Sequence, residues 1–283
     1  MKIMVTGATG FIGKYVINEI LKHNDIEIIA TGIEENPNFS DDKRIFYKPY
    51  DVNQAKESTI NLFNYFEKPD KLIHLAWEGL PNYKEMFHVE KNMPNHYYFL
   101  KNLIENGLKD ITVTGTCLEY GMKYGPLKED MDCSPEIPYA IAKDSLRKTI
   151  DQLHKKYYFI LKWIRIFYLF GDGQSTNSIL SQLDKALEEN QLIFNMSGGE
   201  QLRDYLPVEK VANYIVKITL QNKVDGVINC CSGVPISIRK LVDNYLSKKN
   251  KTIELNLGYY PYIDYEPFAF WGDTDKLNKA LIN

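Results

Sequence analysis

The stretch TGATGFIG, residues 6–13, constrains this chain more than any other. It places Gly7, Gly10 and Gly13 in a G-x-x-G-x-x-G pattern. The apolar run KIMVTG before it reads as a strand, and an amphipathic helix pattern from about Phe11 to Lys22 follows it. Strand, glycine turn and helix in that order form the setting in which such glycines bind a dinucleotide. They permit a tight turn and let the backbone approach a pyrophosphate, whose charge a helix N-terminus favours.

The same alternation continues through the first half of the chain. IEIIATG, RIFYKPYD, KLIHLAW, DITVTGT and YFILKWIRIFYLFG read as strands. Helical patterns over residues 55–66, 92–106 and 139–156 separate the later ones. Short, continuously apolar strands alternating with helices predict an α/β fold, a doubly wound parallel sheet buried on both faces. After Gly171 the pattern changes to a loop, a helix near residues 179–189, and a polar, aromatic end that includes GYYPYIDYEP. We expect a dinucleotide-binding domain over residues 1–170, with residues 205–231 returning to it through the strand GVINCCSG. Residues 171–204 and 232–283 are expected to form a smaller C-terminal substrate lobe.

Composition narrows the partners. The net charge of -3 offers no basic field for nucleic acid or anionic lipid, so a small molecule is the expected partner. No apolar run approaches the roughly 18 residues of a membrane span. The N-terminus enters the glycine turn directly rather than reading as a signal peptide, so a cytoplasmic location is expected. The four cysteines, Cys117, Cys133, Cys230 and Cys231, lack Cys-x-x-Cys spacing, and Cys230 and Cys231 sit in an apolar run. They read as reduced residues, and no metal site is expected.

The end of the second strand bears on the choice of cofactor. A carboxylate there would bond the ribose hydroxyls of NAD. This chain has Thr31 and Gly32, with Glu34 and Glu35 slightly later. That leaves room for an extra phosphate, with Lys43 and Arg44 as possible partners, so NADP(H) is favoured over NAD(H). Asp51, after the third strand, is placed to reach the adenine.

A tyrosine four residues before a lysine occurs at Tyr97, Tyr124, Tyr139, Tyr158 and Tyr245. On a helix the pair shares one face, and the ammonium can lower the phenol pKa toward the range useful for proton transfer. Tyr97–Lys101 has bulky residues between its members, and Tyr124–Lys128 spans Gly125-Pro126, a turn signal. Tyr158–Lys162 lies in a strand pattern, where the two sit about 13 Å apart. Tyr245–Lys249 is on a late polar helix. Tyr139–Lys143 starts a helix after Pro138, has Ala140 and Ala142 between its members, and follows Thr116 at the end of DITVTGT. It alone has a hydroxyl partner in a suitable place to polarise a carbonyl.

With these residues assembled, the chain resembles the extended short-chain dehydrogenase/reductase family, in particular its nucleotide-sugar epimerases, dehydratases and reductases. The resemblance runs through TGATGFIG, HLAW, TGTCLEYG, PYAIAK, RIFYLFGDGQ and QLRDYLPVEKVA, in order. It implies Thr116, Tyr139 and Lys143 as catalytic residues. It implies cofactor contacts at Gly7, Thr9, Gly10, Phe11, Ile12, Gly13, Thr31, Asp51, Val52, Leu75, Ala76, Trp77, Tyr139 and Lys143. Ala76 would lie beside the nicotinamide ribose. Substrate contacts are implied at Thr116, Cys117, Tyr168 and Arg203, the arginine fork taking a phosphate. The family also suggests a homodimer.

Departures from the family's patterns narrow the reaction. Its 4,6-dehydratases carry an Asp-Glu pair after the catalytic threonine, where this chain has Cys117 and Leu118. A thiol and an alkyl chain do not replace two carboxylates in acid–base elimination. Glu119, one place on, is expected to be structural. Tyr168 stands where epimerases commonly have a substrate-binding asparagine, and the chain is short for an epimerase. Both favour a 4-ketoreductase, with most resemblance to those that convert dTDP-4-dehydro-6-deoxyglucose to dTDP-fucose. A 4-epimerase with retained NAD is the alternative, and a non-catalytic dinucleotide sensor a more distant one.

Overall fold

The computed structural model describes residues 1–35, 37 and 41–282. Strand β1 (Lys2–Thr6) runs through the glycine turn into α1 (Phe11–Ile20), and β2 (Glu27–Thr31) and β3 (Ile45–Tyr47) follow. After a short helix α2 (Leu62–Tyr65) come β4 (Lys71–His74), α3 (Met93–Glu105), β5 (Asp110–Thr116), β6 (Gly125–Leu127), α4 (Pro138–Gln152), β7 (Ile160–Ile166) and β8 (Tyr168–Phe170). The remainder is α5 (Ile179–Glu188), β9 (Ile193–Asn195), β10 (Leu202–Pro207), α6 (Val208–Leu220), β11 (Gly226–Cys230) and β12 (Pro235–Ser237). The chain closes with α7 (Ile238–Lys249), β13 (Glu254–Asn256), β14 (Phe270–Gly272) and α8 (Asp275–Leu281).

Seven strands form one sheet in the order β11-β7-β5-β4-β1-β2-β3, every pair parallel. Val16, Ile17 and Ile20 of α1 pack with Val211, Ile215 and Val216 of α6 on one face. Phe99 and Leu103 of α3 pack with Leu146 and Ile150 of α4 on the other. This is the expected doubly wound, Rossmann-type sheet, and strand order reverses between β1 and β4. In such sheets ligands bind at that switch point, beyond the carboxyl ends of the strands. A separate core of Leu180, Leu183, Phe194, Leu241 and Val242 lies under α5 and α7.

Two element expectations need correction. The helix expected over residues 55–66 shrinks to α2, preceded by a 3-10 turn at Val52–Gln54. Asn102 of α3 causes this: its Oδ1 accepts from Leu62 N at 2.9 Å and its Nδ2 donates to Ile60 O at 2.9 Å, fixing this segment in a non-helical path. The single long strand after Tyr157 divides at Phe167, whose N–H bonds Cys230 O at 3.1 Å. Beyond it β8 leaves the large sheet and pairs with β10, which pairs in turn with β12. No helix among the described residues is long and apolar enough to cross a membrane.

Candidate active site

The glycine turn has the geometry of a cradle. Gly7 sits at φ +64°, and a Cβ there would stand 2.9 Å from Ala76 N. A Cβ on Gly13 would meet Gly7 O at 2.1 Å, so α1 could not pack against the turn. Gly10 N–H bonds Gly7 O at 3.0 Å, and Gly10 occupies the cap of α1 without a side-chain acceptor. The first N–H groups of α1 therefore face the turn, as anion binding requires. Thr6 Oγ1 accepts from the N–H groups of Leu75 and Ala76, each at 3.2 Å, and so fixes the β4 end beside the turn. These backbone positions fit a dinucleotide.

The space past β2 differs from expectation. Thr9 Oγ1 donates to Glu34 Oε2 at 2.6 Å, so a carboxylate folds back over the glycine turn. Arg44 cannot serve as a phosphate partner there: it pairs with Asp42 at 2.7 Å and donates to His23 O and Leu21 O behind α1. The room for an extra phosphate inferred from Thr31 and Gly32 is thus lined by an acid, because the chain turns back after Gly32. Asp51 Oδ1 accepts from Asn53 N at 2.9 Å and caps the turn that buries Val52.

Thr116, Tyr139 and Lys143 converge at the carboxyl end of β5. Thr116 ends the strand and caps the short turn Cys117–Tyr120. Pro138 starts α4, which turns Tyr139 and Lys143 toward it, and Tyr83 O accepts from Tyr139 N at 3.1 Å. The Thr116 hydroxyl lies beside the Tyr139 phenol and lowers its pKa. All three side chains are buried. Lys143 Nζ donates to Thr114 O at 2.8 Å and lies 4.0 Å from the centre of the Trp77 ring. Burial lowers the Lys143 pKa to about 7, partly opposed by Glu119. Burial, then Tyr83, Glu119 and Cys117, push the Tyr139 phenol above its ordinary value, while Thr116 pulls it down. The phenol stays protonated at neutral pH.

These groups line one wall of a cavity of about 770 Å³ between the large sheet and the α5–α7 layer. Phe11, the first residue of α1, stacks edge-on against Tyr15, while Ile12 lines the cavity. Cys117 and Tyr168 line it too, and burial pushes both their pKa values up. Arg203 reaches the cavity engaged: it pairs with Glu266 at 2.9 Å, donates to Leu202 O and Phe268 O, and its guanidinium lies 4.6 Å from the Phe270 ring. A phosphate would have to displace Glu266.

Glu119 is structural, as expected. Fully buried, it accepts from Thr116 N at 2.9 Å, Trp163 Nε1 at 3.0 Å and Arg165 Nε at 2.8 Å. Its carboxylate approaches Cys133 and Asp144, but Arg165 and Arg147 already supply positive charge there. Of the other Tyr-x-x-x-Lys tyrosines, Tyr124 also borders the cavity, whereas two of the pairs lie elsewhere. Lys162 is bound to Asp110 at 2.9 Å at the opposite end of β5, and Lys249 to Asp184 at 2.5 Å on α7.

A family model described as NAD dependent epimerase/dehydratase family matches residues 3–231. The chain belongs to the NAD dependent epimerase/dehydratase family. It is therefore an oxidoreductase-type enzyme built around a nicotinamide cofactor. Within the family it is 33% identical to the dTDP-6-deoxy-L-talose 4-dehydrogenase (NAD(+)) of Aggregatibacter actinomycetemcomitans, over 96% of this chain and 99% of that one. It is 25% identical to the dTDP-4-dehydro-6-deoxyglucose reductase of Escherichia coli, over 88% and 82%. A UDP-glucuronic acid 4-epimerase from Bacillus cereus, solved with UDP-glucuronic acid and NAD, superposes with a TM-score of 0.85 at 22% identity, over 99% of this chain and 93% of that one. This last likeness establishes the family fold.

Sequence reasoning passed over Tyr83 and His88, whose rings stand beside Tyr139, and Glu266, which holds Arg203 at the cavity. Glu34 was visible but stood beyond the expected strand end. No spacing rule marks these positions, since their contacts close only in three dimensions.

Proposed function

We propose that this enzyme transfers hydride between NAD(H) and C4 of a dTDP-linked 6-deoxyhexose, working as a 4-ketoreductase on the 4-keto sugar. The observation that carries this reading is the Thr116–Tyr139–Lys143 set opening onto a cavity whose next residues are Cys117 and Leu118 rather than carboxylates. Glu119 cannot supply the missing acid, being fully buried against Arg165 and Trp163. Elimination of water therefore lacks its acid–base pair. The 33% relative matched end to end, named a dTDP-sugar 4-dehydrogenase, supports the sugar class and NAD.

The residues divide the work as follows. The Gly7–Gly13 turn and the α1 N-terminus would hold the pyrophosphate, with Phe11 and Ile12 beside it. Thr31, Asp51 and Val52 would serve the adenine end, and Leu75, Ala76 and Trp77 the nicotinamide end. NADH held there would supply the hydride to C4. Tyr139 donates its proton to the C4 oxygen, which Thr116 Oγ1 also holds, and the C=O π bond becomes C–H and O–H. A phenol held protonated by burial is the form that reduction needs. Tyr168, Cys117 and Arg203 would contact the sugar and its diphosphate. NAD(H) is the better fit than NADP(H), since Glu34 would repel a 2′-phosphate.

The test is incubation of the purified protein with dTDP-4-keto-6-deoxyhexoses, of both the D-gluco series and the series that yields 6-deoxy-L-talose, with NADH or NADPH. Loss of reduced cofactor and appearance of the 4-hydroxy sugar by NMR are expected. Interconversion of 4-epimers without added cofactor, or no turnover of either series, would overturn the reading.

A further inference from the structure

Trp77 and His88 reach the catalytic pair from the two ends of the β4–α3 connection. The Trp77 ring centre is 4.0 Å from Lys143 Nζ and 6.0 Å from the Tyr139 ring centre. The indole is itself fixed: Nε1 donates to His88 Nδ1 at 3.0 Å, and the two rings are 18° from parallel. His88 Nε2 lies 3.0 Å from Asn82 O. A carbonyl only accepts, so Nε2 carries the proton and Nδ1 is left to accept from the indole. The fully buried His88 ring also stands 5.3 Å from the Tyr139 ring.

The backbone supports this bracket. His88 opens a single π-helical turn, His88–Asn92, before α3. Such turns are rare and occur mostly at functional sites. Asn92 Nδ2 donates to Glu78 O at 2.9 Å, joining this turn to the loop that carries Trp77.

We propose that Trp77 and His88 are positioning residues that hold the Lys143 ammonium over an oriented indole face, beside Tyr139, for hydride transfer. The inference rests on the ketoreductase reading for its kinetic consequence, but the placement of Lys143 does not. A cation over an indole face gains electrostatic attraction, more so when both are out of water. Lys143 is 2% exposed. The titratable groups facing it offer little other support for its charge. His74, on β4, and His96, on α3, are held neutral by burial, as is His88 on its turn. Tyr139 and Cys117 are held neutral as well. Glu119 favours the charge from the far side of Thr116.

The sign of the pH effect follows. The ammonium is the working form, and burial already brings its pKa to about 7. Removing the indole face removes support for the charged form, so the pKa falls further and the alkaline limb of kcat/KM moves to lower pH. Trp77→Leu should move that limb down by about one pH unit. Trp77→Phe keeps a ring face and should move it far less. His88→Leu should act like a partial loss of Trp77, while His88→Gln, which retains an acceptor for the indole, should behave like the parent enzyme. The Lys143 side chain can also be titrated directly by NMR of 13C-labelled lysine, assigned with Lys143→Met, in protein without sugar. That signal must fall in Trp77→Leu and hold in Trp77→Phe. An unmoved or raised Lys143 pKa in a folded Trp77→Leu or His88→Leu protein overturns the inference, whether or not any keto sugar is reduced. If no sugar turns over but the NMR shifts appear, the ketoreductase reading fails and the bracket stands.

Discussion

Thr9 Oγ1 and the Glu34 carboxylate are 2.6 Å apart, a bond that bends the chain after β2 back over the glycine turn. Had the carboxylate pointed into solvent, the absence of an acid at Thr31 and Gly32 would have left the cofactor choice open. As it stands, a 2′-phosphate would meet a negative charge. Glu34→Gln is expected to leave NADH use nearly intact and to shift the NADPH-to-NADH ratio of kcat/KM toward NADPH by at least about tenfold, equivalent to roughly 1.4 kcal/mol. An unchanged ratio would show that the repulsion plays no part.

Tyr139→Phe removes the proton donor and little else, since the ring packs against Trp77, Tyr83 and His88. Turnover of the keto sugar should fall by about 10²-fold or more. The Kd for NADH, read by fluorescence titration, should change little. Normal turnover would remove Tyr139 from the chemistry.

The histidines behind the site tie stability to pH. Thr6 Oγ1, His74 Nδ1, His74 Nε2 and His96 Nδ1 form a buried hydrogen-bonded series, with contacts of 2.8 and 2.7 Å. Burial, aided by the Lys143 charge, lowers the His74 pKa to about 3, and His96 is lowered too. Unfolded histidines bind protons below about pH 6.5, whereas the folded ones stay neutral. The unfolded state therefore gains protons as pH falls through this range, and stability declines. Each histidine contributes a slope of up to about 1.4 kcal/mol per pH unit. Urea unfolding from pH 7.5 to 5 should show this decline, and His96→Gln should make it shallower.

Glu119 and Arg165 are both fully buried and bonded at 2.8 Å. Removing one partner strands the other charge. Arg165→Met is expected to cost about 3–5 kcal/mol, measured by denaturant unfolding. Because Glu119 also holds the backbone N–H of Thr116, this variant should lose activity beyond what the lost folded fraction explains. A stable, fully active Arg165→Met protein would refute the structural role given to Glu119.

Much of the fold was readable along the chain. TGATGFIG places its own turn, because Gly7 needs a positive φ and Gly13 must have no Cβ, and both demands are local. The α3 and α4 faces follow their apolar spacing. The helix lost at residues 55–66 was not readable, because Asn102 captures Ile60 and Leu62 from 40 residues or more away. The break at Phe167 depends likewise on β11, which arrives 60 residues later.

The site divides along the same line. Tyr139, Lys143 and Thr116 could be selected from sequence because helix start, helix period and strand end are each set by neighbouring residues, and the absence of carboxylates at 117 and 118 is visible directly. Tertiary structure alone decided what surrounds them: Glu266 on Arg203, Glu34 on Thr9, Trp77 and His88 around Lys143. It also decided their ionisation, since a phenol raised and an ammonium lowered by burial depend on how much water the assembled fold excludes, and local sequence does not record that.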